Sequence, residues 1–324
     1  MRLGLIEELE AHLHPQAQMQ IIESLRRRDD IQLILTTHSP NLASKVPLEN
    51  IIICSANWAY PMGKAFTKLA APDDYTFLER FLDVTQSNLF FARGVIFVEG
   101  WSEEILIPAL ARKMKAKGLL QKNLTEAGVS VVNLRTTAFE RYAKIFLRNA
   151  TPPMVIPVAL VRDLDIPEYE RVSQPQSNST PEASEGAADA CCVKIVSPEL
   201  QTKKSTRTAG LVDLLNTAPV RTFVAPHWTL EYSVLKSPSI GGLFTAAFYR
   251  SHPRADRSDP EGALALKLLK RTLDKTEIAY DLALRIDAAG QQPSDGVAVP
   301  DITLNQSDEG VTYLMDAIKY ACRS

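Results

Sequence analysis

The fold is decided by the stretch Gly94-Val95-Ile96-Phe97-Val98-Glu99-Gly100, an apolar run that stops at an acid and a glycine. An uncharged run of this kind is typical of a strand that is buried on both faces. A helical pattern follows from Ser102 to Lys117. The alternation then continues with a predicted strand at 129–132, a helix at 139–149 and a strand at 155–161. Strands that alternate with helices predict an α/β fold with a mainly parallel sheet flanked by helices.

Weaker patterns extend this core in both directions. On the N-terminal side they predict strands at 3–6, 31–36, 51–54 and 66–69, the last two paired, and helices at 15–28 and 73–92. On the C-terminal side they predict helices at 210–215, 231–236, 261–273, 276–286 and 310–322. Residues 170–190 are rich in Ser, Pro, Gln, Ala and Glu, which predicts a flexible insertion. We therefore predict three parts, at 1–70, 71–92 (a connecting helix) and 93–324.

Composition places few limits on function. The chain has 324 residues, of which 45% are hydrophobic and 23% charged, as in a soluble protein of about two domains. The net charge of -2 neither supports nor excludes a nucleic-acid partner. No apolar run approaches the ~20 residues of a transmembrane helix, and no signal peptide is apparent. The four cysteines lack metal-site spacing, so we expect reduced thiols in a cytoplasmic protein.

Acidic residues stand where two of the predicted strands end. Glu99 directly follows the strand 94–98, and Glu103 falls in the first turn of the next helix. Asp163 and Asp165 follow the strand 155–161, and in an extended segment residues two apart project to the same side. Open α/β sheets place their ligands at the carboxyl ends of the strands. We therefore expect these four carboxylates to face one point.

Carboxylates gathered at one sheet edge repel each other and stay ionised cheaply only around a cation. Hard oxygen ligands favour Mg²⁺ or Mn²⁺ over zinc. Two such ions can stabilise the attacking and the leaving oxygen of a phosphodiester displacement. Taken singly, an Asp-x-Asp or Glu-Gly at a strand end is more often a solvated turn or a helix cap. Their order on alternating strands favours the metal-dependent chemistry.

The run from Val95 to Gly100, followed by Leu160-Val161-Arg162-Asp163-Leu164-Asp165, resembles the two-part signature of the Toprim (topoisomerase–primase) fold. The longer run 98–108 is similar to the OLD (overcoming lysogenization defect) family of ATPase-linked nucleases. The resemblance implies Mg²⁺- or Mn²⁺-dependent cutting of DNA, and a role in phage defence by analogy. It also implies that Glu99 serves in metal binding or acid/base catalysis, and that Glu103, Asp163 and Asp165 bind the ions.

Two later segments extend the resemblance. Trp228-Thr229-Leu230-Glu231-Tyr232 is similar to a family segment whose Glu lies near the metals, which makes Glu231 a candidate ligand. Asp274-Lys275-Thr276-Glu277 resembles the segment with the family's catalytic lysine, so Lys275 would neutralise transition-state charge. The ordinary alternatives are a helix-start acid and a solvated lysine. DNA would approach through basic residues such as the cluster Lys113, Lys115 and Lys117.

The N-terminal segment resembles part of an ATP-binding-cassette (ABC) ATPase. Leu3-Gly4-Leu5-Ile6-Glu7-Glu8 is similar to the Walker B motif, although the first acid there is usually Asp. The resemblance implies that Glu7 acts through Mg²⁺ and that Glu8 polarises water. Leu33-Ile34-Leu35-Thr36-Thr37-His38 resembles the switch strand, in which His38 would sense the γ-phosphate of ATP.

The sequence contains no G-x-x-x-x-G-K-[ST] loop, which would supply the N–H groups and the lysine that hold the phosphates. We therefore expect residues 1–70 to be the C-terminal remnant of an ABC-type ATPase domain and to hydrolyse no ATP alone. In the family's full context the resemblance implies ATP as a cofactor and a homodimer formed through the ATPase part.

Two alternatives stay open at this point. The first is another Toprim activity, such as primer synthesis or topoisomerase strand passage. Tyr142, Tyr169 and Tyr232 are available as nucleophiles, but none lies in a recognised motif. The second is a non-catalytic module that binds DNA, responds to the ATP state or dimerises. It predicts no metal-dependent cleavage and indifference to Asp163→Ala.

Overall fold

The computed structural model describes residues 2–28, 30–55, 57–82, 86–135, 139–172, 191–291 and 300–323. The strands are β1 (Arg2–Ile6), β2 (Ile31–Leu35), β3 (Ile52–Ser55), β4 (Trp58–Pro61), β5 (Gly94–Val98), β6 (Val129–Asn133), β7 (Val158–Arg162), β8 (Tyr169–Val172), β9 (Cys191–Lys194) and β10 (Val220–Val224). The helices are α1 (Pro15–Arg26), α2 (Pro40–Ala43), α3 (Asp74–Phe81), α4 (Trp101–Ala116), α5 (Leu124–Ala127), α6 (Phe139–Lys144), α7 (Pro198–Leu214), α8 (Leu230–Leu235), α9 (Gly241–Ser251), α10 (Pro260–Lys270), α11 (Lys275–Ala288) and α12 (Glu309–Cys322).

The centre of the protein is a four-stranded sheet in the order β10-β7-β5-β6, in which every pairing is parallel. β5 and β7 are buried at every position, as expected for strands that are apolar, apart from Arg162 at the end of β7, and covered on both faces. The predicted mainly parallel α/β fold is thus confirmed. The sequence analysis missed β10, because Arg221 and Thr222 interrupt its apolar pattern.

A hydrophobic core lies on each face of this sheet. Ile96 and Val98 point into the core built with α4, α8, α9, α11 and α12, while Val95 and Phe97 point into the opposite one. α12 passes very close to β5: a Cβ at Gly94 would lie 2.3 Å from the carbonyl oxygen of Ala321. Glycine at this position therefore lets a helix backbone rest on the strand that leads to Glu99.

The N-terminal part forms a smaller unit. β1 and β2 pair in parallel, and α1 follows the first strand. One face of this two-stranded sheet exposes the apolar side chains of Leu3, Leu5 and Ile34. β3 pairs with β4 in an antiparallel hairpin, so the predicted pairing of 51–54 with 66–69 is wrong. Asn57 adopts a left-handed conformation that reverses the chain, which gives β3 a nearer partner.

Several helix boundaries also differ from the predictions. The predicted helix 73–92 is split into α3 and a 3₁₀ helix at Gln86–Phe90, and the predicted helix 139–149 ends at Lys144. The helix predicted at 210–215 begins much earlier, at Pro198, because the side chain of Ser197 caps its first turn. α9 was not predicted. Residues 170–172 belong to β8, and the rest of the predicted insertion, 173–190, lies outside the described residues.

None of the helices in the described part of the chain is both long and apolar enough to cross a membrane.

Candidate metal and catalytic site

Acidic residues meet at the carboxyl edge of the central sheet. Glu99 follows β5 and Asp163 follows β7, and these strands are neighbours. Glu103 lies in the first turn of α4, and Glu231 lies in the first turn of α8. Helix N-termini carry partial positive charge, which favours carboxylates in the first turn. The fold thus brings together four of the five acids that the sequence analysis singled out.

Lys275, the first residue of α11, lies against this group of acids. Its Nζ is 3.0 Å from Oε2 of Glu231, whose side chain is almost fully buried. The hydroxyl of Ser102 lies 3.2 Å from Oε1 of Glu231 and 3.4 Å from the backbone carbonyl of Lys275. Asp163 accepts a hydrogen bond of 2.7 Å from the backbone N–H of Leu230. The N-terminal turns of α4, α8 and α11 are therefore linked around the carboxylates.

The acids in this group are buried close to one another, and their pKa values reflect it. Burial, and after it the charge of Glu231, raises the pKa of Glu103 to about 7. Burial raises the pKa of Asp163 well above its ordinary value, and the charges of Glu103 and Glu231 add to this effect. Burial opposes charge on Lys275, but the charges of Glu231 and Asp163 outweigh it and raise its pKa. Each carboxylate that ionises here therefore resists ionisation of the next.

Glu99 has a cation of its own, which the sequence analysis did not assign. The Nε of Arg162 is 3.3 Å from Oε1 of Glu99, and both side chains are largely buried. The guanidinium also lies 5.0 Å from the centre of the Phe139 ring. Burial raises the pKa of Glu99, Arg162 opposes this, and Asp165 adds to it. The backbone N–H of Asp163 acts in the same direction as Arg162 and lowers the pKa of Glu99.

Asp165 stands apart from the buried acids. It is exposed, and its φ of 58° places it in the left-handed region, while its N–H donates to the carbonyl of Trp228 at 2.9 Å. The assumption that Asp163 and Asp165 project from one extended segment is therefore wrong. Asp163 faces Glu103 and Glu231, whereas the charge of Asp165 acts on Glu99.

The hydroxyl of Tyr313, on α12, is buried and has no hydrogen-bond partner among the described residues. Burial raises the pKa of Tyr313, and the charges of Asp163, Glu103 and Glu231 raise it further. This phenol therefore approaches the acids from within the core. No sequence motif pointed to Tyr313, which lies far along the chain from the acidic residues. Ser102 stood inside a quoted motif, but its role depends on contacts with distant helices.

The chemistry of the donor set suits a divalent ion. The carboxylates are oxygen donors with an excess of negative charge, which suits Mg²⁺ or Mn²⁺. Oε2 of Glu231 lies 3.0 Å from Nζ of Lys275 and has no further partner among the described residues. Within the described residues, however, no three acidic, His or Cys side chains lie close enough together to enclose one ion. These carboxylates therefore suit a divalent ion in chemistry and charge, but they do not enclose one. We call the group formed by Glu99, Glu103, Asp163 and Glu231 the acidic wall.

The lysines expected to meet DNA are engaged elsewhere. Lys113 is buried and bonds to the carbonyl of Ala289, and Lys117 forms an ion pair with Asp301. Lys115 lies 2.5 Å from a carboxylate oxygen of Glu126. Each of these ammonium groups already has a partner on the protein, so the cluster does not form a free basic surface.

The residues of the ATPase-like part lie together at the ends of β1 and β2. Glu7, Glu8 and His38 are exposed, and the N–H of Glu8 donates to the carbonyl of Thr36 at 3.0 Å. Glu10, which the sequence analysis did not single out, accepts a hydrogen bond of 2.6 Å from the N–H of His38. It also accepts one of 2.7 Å from the hydroxyl of Thr37. Glu10 thus fixes the segment that contains His38.

Two family models match the chain. Residues 90–165 match "Overcoming lysogenization defect protein-like, TOPRIM domain", and residues 2–44 match "AAA domain, putative AbiEii toxin, Type IV TA system". A solved structure of the C-terminal region of the Xanthomonas campestris pv. campestris OLD protein is similar to the chain, with 19% identity and a TM-score of 0.38. The match covers 73% of this chain and 96% of that one. No curated protein matches the sequence. The two family-model matches confirm the resemblance to an OLD-like Toprim domain and to an ATPase fragment.

Proposed function

We propose that this protein, whose residues 90–165 match the OLD-like Toprim domain, hydrolyses phosphodiester bonds of DNA with Mg²⁺ or Mn²⁺. One observation carries the proposal. Glu103, Asp163 and Glu231 are packed together at the carboxyl edge of a parallel sheet, and they share Lys275 as a cation. Acids whose mutual repulsion is only partly compensated favour the binding of a further cation.

Glu103, Asp163 and Glu231 would hold one ion, and Glu99 with Asp165 would hold a second. When bound, such ions supply a water of lowered pKa and a positive charge that stabilises the phosphate in the transition state. The side chains of the first group would have to draw together by a small movement, because they do not enclose an ion as they stand. Glu103 and Glu231 would make this movement, since both lie in helix first turns, where a side chain can change rotamer without moving the sheet.

Lys275 would contribute directly to the reaction. Its side chain is 45% exposed although its ammonium lies 3.0 Å from Glu231, so it can also contact a phosphate that enters the site. The surrounding acids raise its pKa, so it stays charged at any pH at which DNA is bound. A charge that is fixed before the substrate arrives requires no reorganisation during the reaction. Ser102 would hold Lys275 and Glu231 in their relative positions, because its hydroxyl contacts both residues.

The proposal is tested with plasmid cleavage by the purified chain in EDTA, Mg²⁺ and Mn²⁺. We expect metal-dependent nicking or linearisation, and a rate at least about 10²-fold lower for Asp163→Ala and for Lys275→Ala. Asp316→Ala and Lys122→Ala, which change an exposed acid and an exposed lysine, are the matched controls. Intact plasmid in both metals, or cleavage that survives Asp163→Ala, would refute the proposal.

The match of residues 2–44 to an AAA domain supports a second proposal, that ATP regulates this nuclease through a homodimer of the ATPase-like part. The exposed apolar face of Leu3, Leu5 and Ile34 is suited to association, and Glu10 already fixes the segment of His38. We expect size-exclusion chromatography with light scattering to show dimers that Leu5→Lys disrupts. A monomer at all concentrations, with and without ATP, would contradict this.

A further inference from the structure

An exposed tryptophan and an exposed arginine are stacked beside the acidic wall. The guanidinium of Arg135 lies 4.7 Å from the centre of the Trp101 ring, and Trp101 is 49% exposed. Trp101 begins α4, two residues after Glu99 and two before Glu103. Tryptophan is highly buried on average, so a half-exposed indole at the edge of a candidate active site points to a ligand.

This pair is held in place by a short chain of hydrogen bonds. Arg135 has a φ of 52°, in the left-handed region that residues other than glycine seldom occupy. Its backbone N–H donates to Oδ1 of Asn133 at 3.0 Å, and Nδ2 of Asn133 donates to Oε2 of Glu104 at 2.9 Å. Glu104 lies on the same helix turn as Trp101 and Glu103. The guanidinium is therefore positioned over the indole before any ligand arrives.

We propose that Trp101 and Arg135 bind an unpaired nucleotide of the DNA substrate, with its base on the aromatic surface and its phosphate beside the guanidinium. This inference rests on the proposed nuclease function and specifies its substrate class. An indole is a stacking surface for any base, and an arginine beside it adds both cation–π contact and phosphate binding. Bases inside an intact duplex are already stacked, so only a single-stranded segment, a gap or a frayed end can use this surface.

Charge favours DNA over a protein as the occupant. A polyanion that approaches Glu99 and Glu103 meets repulsion, and a fixed cation at the rim offsets it where the strand must pass. The pair is also continuous with the proposed site, because α4 contains both Trp101 and Glu103. A base held there places the neighbouring phosphate of the same strand towards the acids.

The test is fluorescence anisotropy with a labelled oligothymidine and a labelled hairpin duplex that has the same number of phosphates, both in EDTA. We expect Trp101→Ala to weaken binding of the single strand about 5- to 150-fold, the range for one stacked base, and to leave the duplex within about twofold. Trp101→Phe should retain most of the affinity. Trp58→Ala is the matched control, because Trp58 is 55% exposed but lies on β4.

Arg135→Ala should weaken the single strand and lower the slope of log affinity against log salt by about 0.7, the value for one phosphate contact on a single strand. Unchanged single-strand affinity in Trp101→Ala would overturn the inference, and would be the result if the surface binds a protein instead. Equal losses on single strand and duplex would also overturn it. EDTA prevents metal-dependent cleavage, so this result is independent of the plasmid assay and the two failures can be told apart.

Discussion

Replacing Glu103 with glutamine should stabilise the metal-free protein at neutral to alkaline pH. Glu103 is only 7% exposed, and burial together with the charge of Glu231 raises its pKa to about 7 from an ordinary 4.5. Between these two values the folded protein holds a proton that the unfolded chain has released. The folded state therefore binds more protons, and the free energy of unfolding falls as the pH rises from about 4.5 to about 7.

The size of the effect follows from the same two pKa values. The difference between 7 and 4.5, at about 1.4 kcal/mol per pH unit, sets an upper limit of about 3.5 kcal/mol. Glutamine removes the charge but keeps the shape, so it should recover most of this penalty above pH ~7 and almost none below pH ~4.5. Glu103 and Asp163 repel each other when both are ionised. Once Glu103 is replaced, Asp163 ionises more easily, and this reduces the stability gained by the substitution. We expect Glu103→Gln to raise the free energy of unfolding by about 1–3 kcal/mol at pH ~8.

The assay is urea unfolding in EDTA at pH ~5 and pH ~8, with the exposed Glu79→Gln as a control for the loss of one charge. The unmutated protein should lose stability between the two values, and the Glu103→Gln variant should lose less. In saturating Mg²⁺ the unmutated protein should be more stable than the Glu103→Gln variant, because an ion that binds only the folded protein stabilises it and the variant lacks one of the ion's ligands. Parallel pH profiles for the two proteins, or a Glu103→Gln variant that is less stable at pH ~8 in EDTA, would refute this electrostatic account.

Three further variants test other parts of the structure. Arg162→Met leaves Glu99 buried without its cation, so calorimetry should show about 3 kcal/mol less stability and the plasmid assay at least about tenfold slower cleavage; unchanged values would mean that the ion pair is incidental. Gly94→Ala places a Cβ 2.3 Å from a backbone carbonyl and should cost about 1–3 kcal/mol, whereas Gly242→Ala meets no atom within 4 Å and should be neutral or stabilising by up to ~1 kcal/mol; equal melting temperatures would contradict this. Lys117→Ala should leave DNA affinity and its salt dependence unchanged, because this ammonium is engaged in an ion pair; a lower salt slope would return it to the DNA surface.

The parts of the fold that the sequence revealed are those in which one short segment contains the whole signal. β5 is apolar at every position and β7 at every position before Arg162, so their burial and parallel pairing follow from local pattern alone. β10 is an edge strand of the same sheet, next to β7, and its exposed Arg221 and polar Thr222 interrupt the apolar pattern. The hairpin of β3 and β4 depends on one left-handed residue, Asn57, which is easily overlooked between two apolar runs.

The candidate site shows the same division. Glu99 and Asp163 could be placed together from sequence, because both end neighbouring strands of one sheet. The ion pair of Arg162 with Glu99 could have been anticipated, since Arg162 ends β7 beside the first motif. The approach of Tyr313 could not, because it depends on how α12 crosses the sheet. The conformation of Asp165 was also beyond reach, since its φ of 58° is set by a hydrogen bond to a distant loop.

Two buried acids of this protein, Glu168 and Glu103, have pKa values shifted in opposite directions, and the difference favours a cation site beside Glu103. Burial opposes ionisation of Glu168, but hydrogen bonds from His227 and Lys204 lower its pKa to about 2. Glu103 is as little exposed as Glu168, yet burial raises its pKa to about 7; the charge of Glu231 adds to this, and Lys275 is shared among the acids. Glu168 is thus paired with its own cations. Glu103 and Asp163, at the carboxyl edge of the sheet, share Lys275 with Glu231, and a divalent ion is the partner that would bring their pKa values back to the ordinary range.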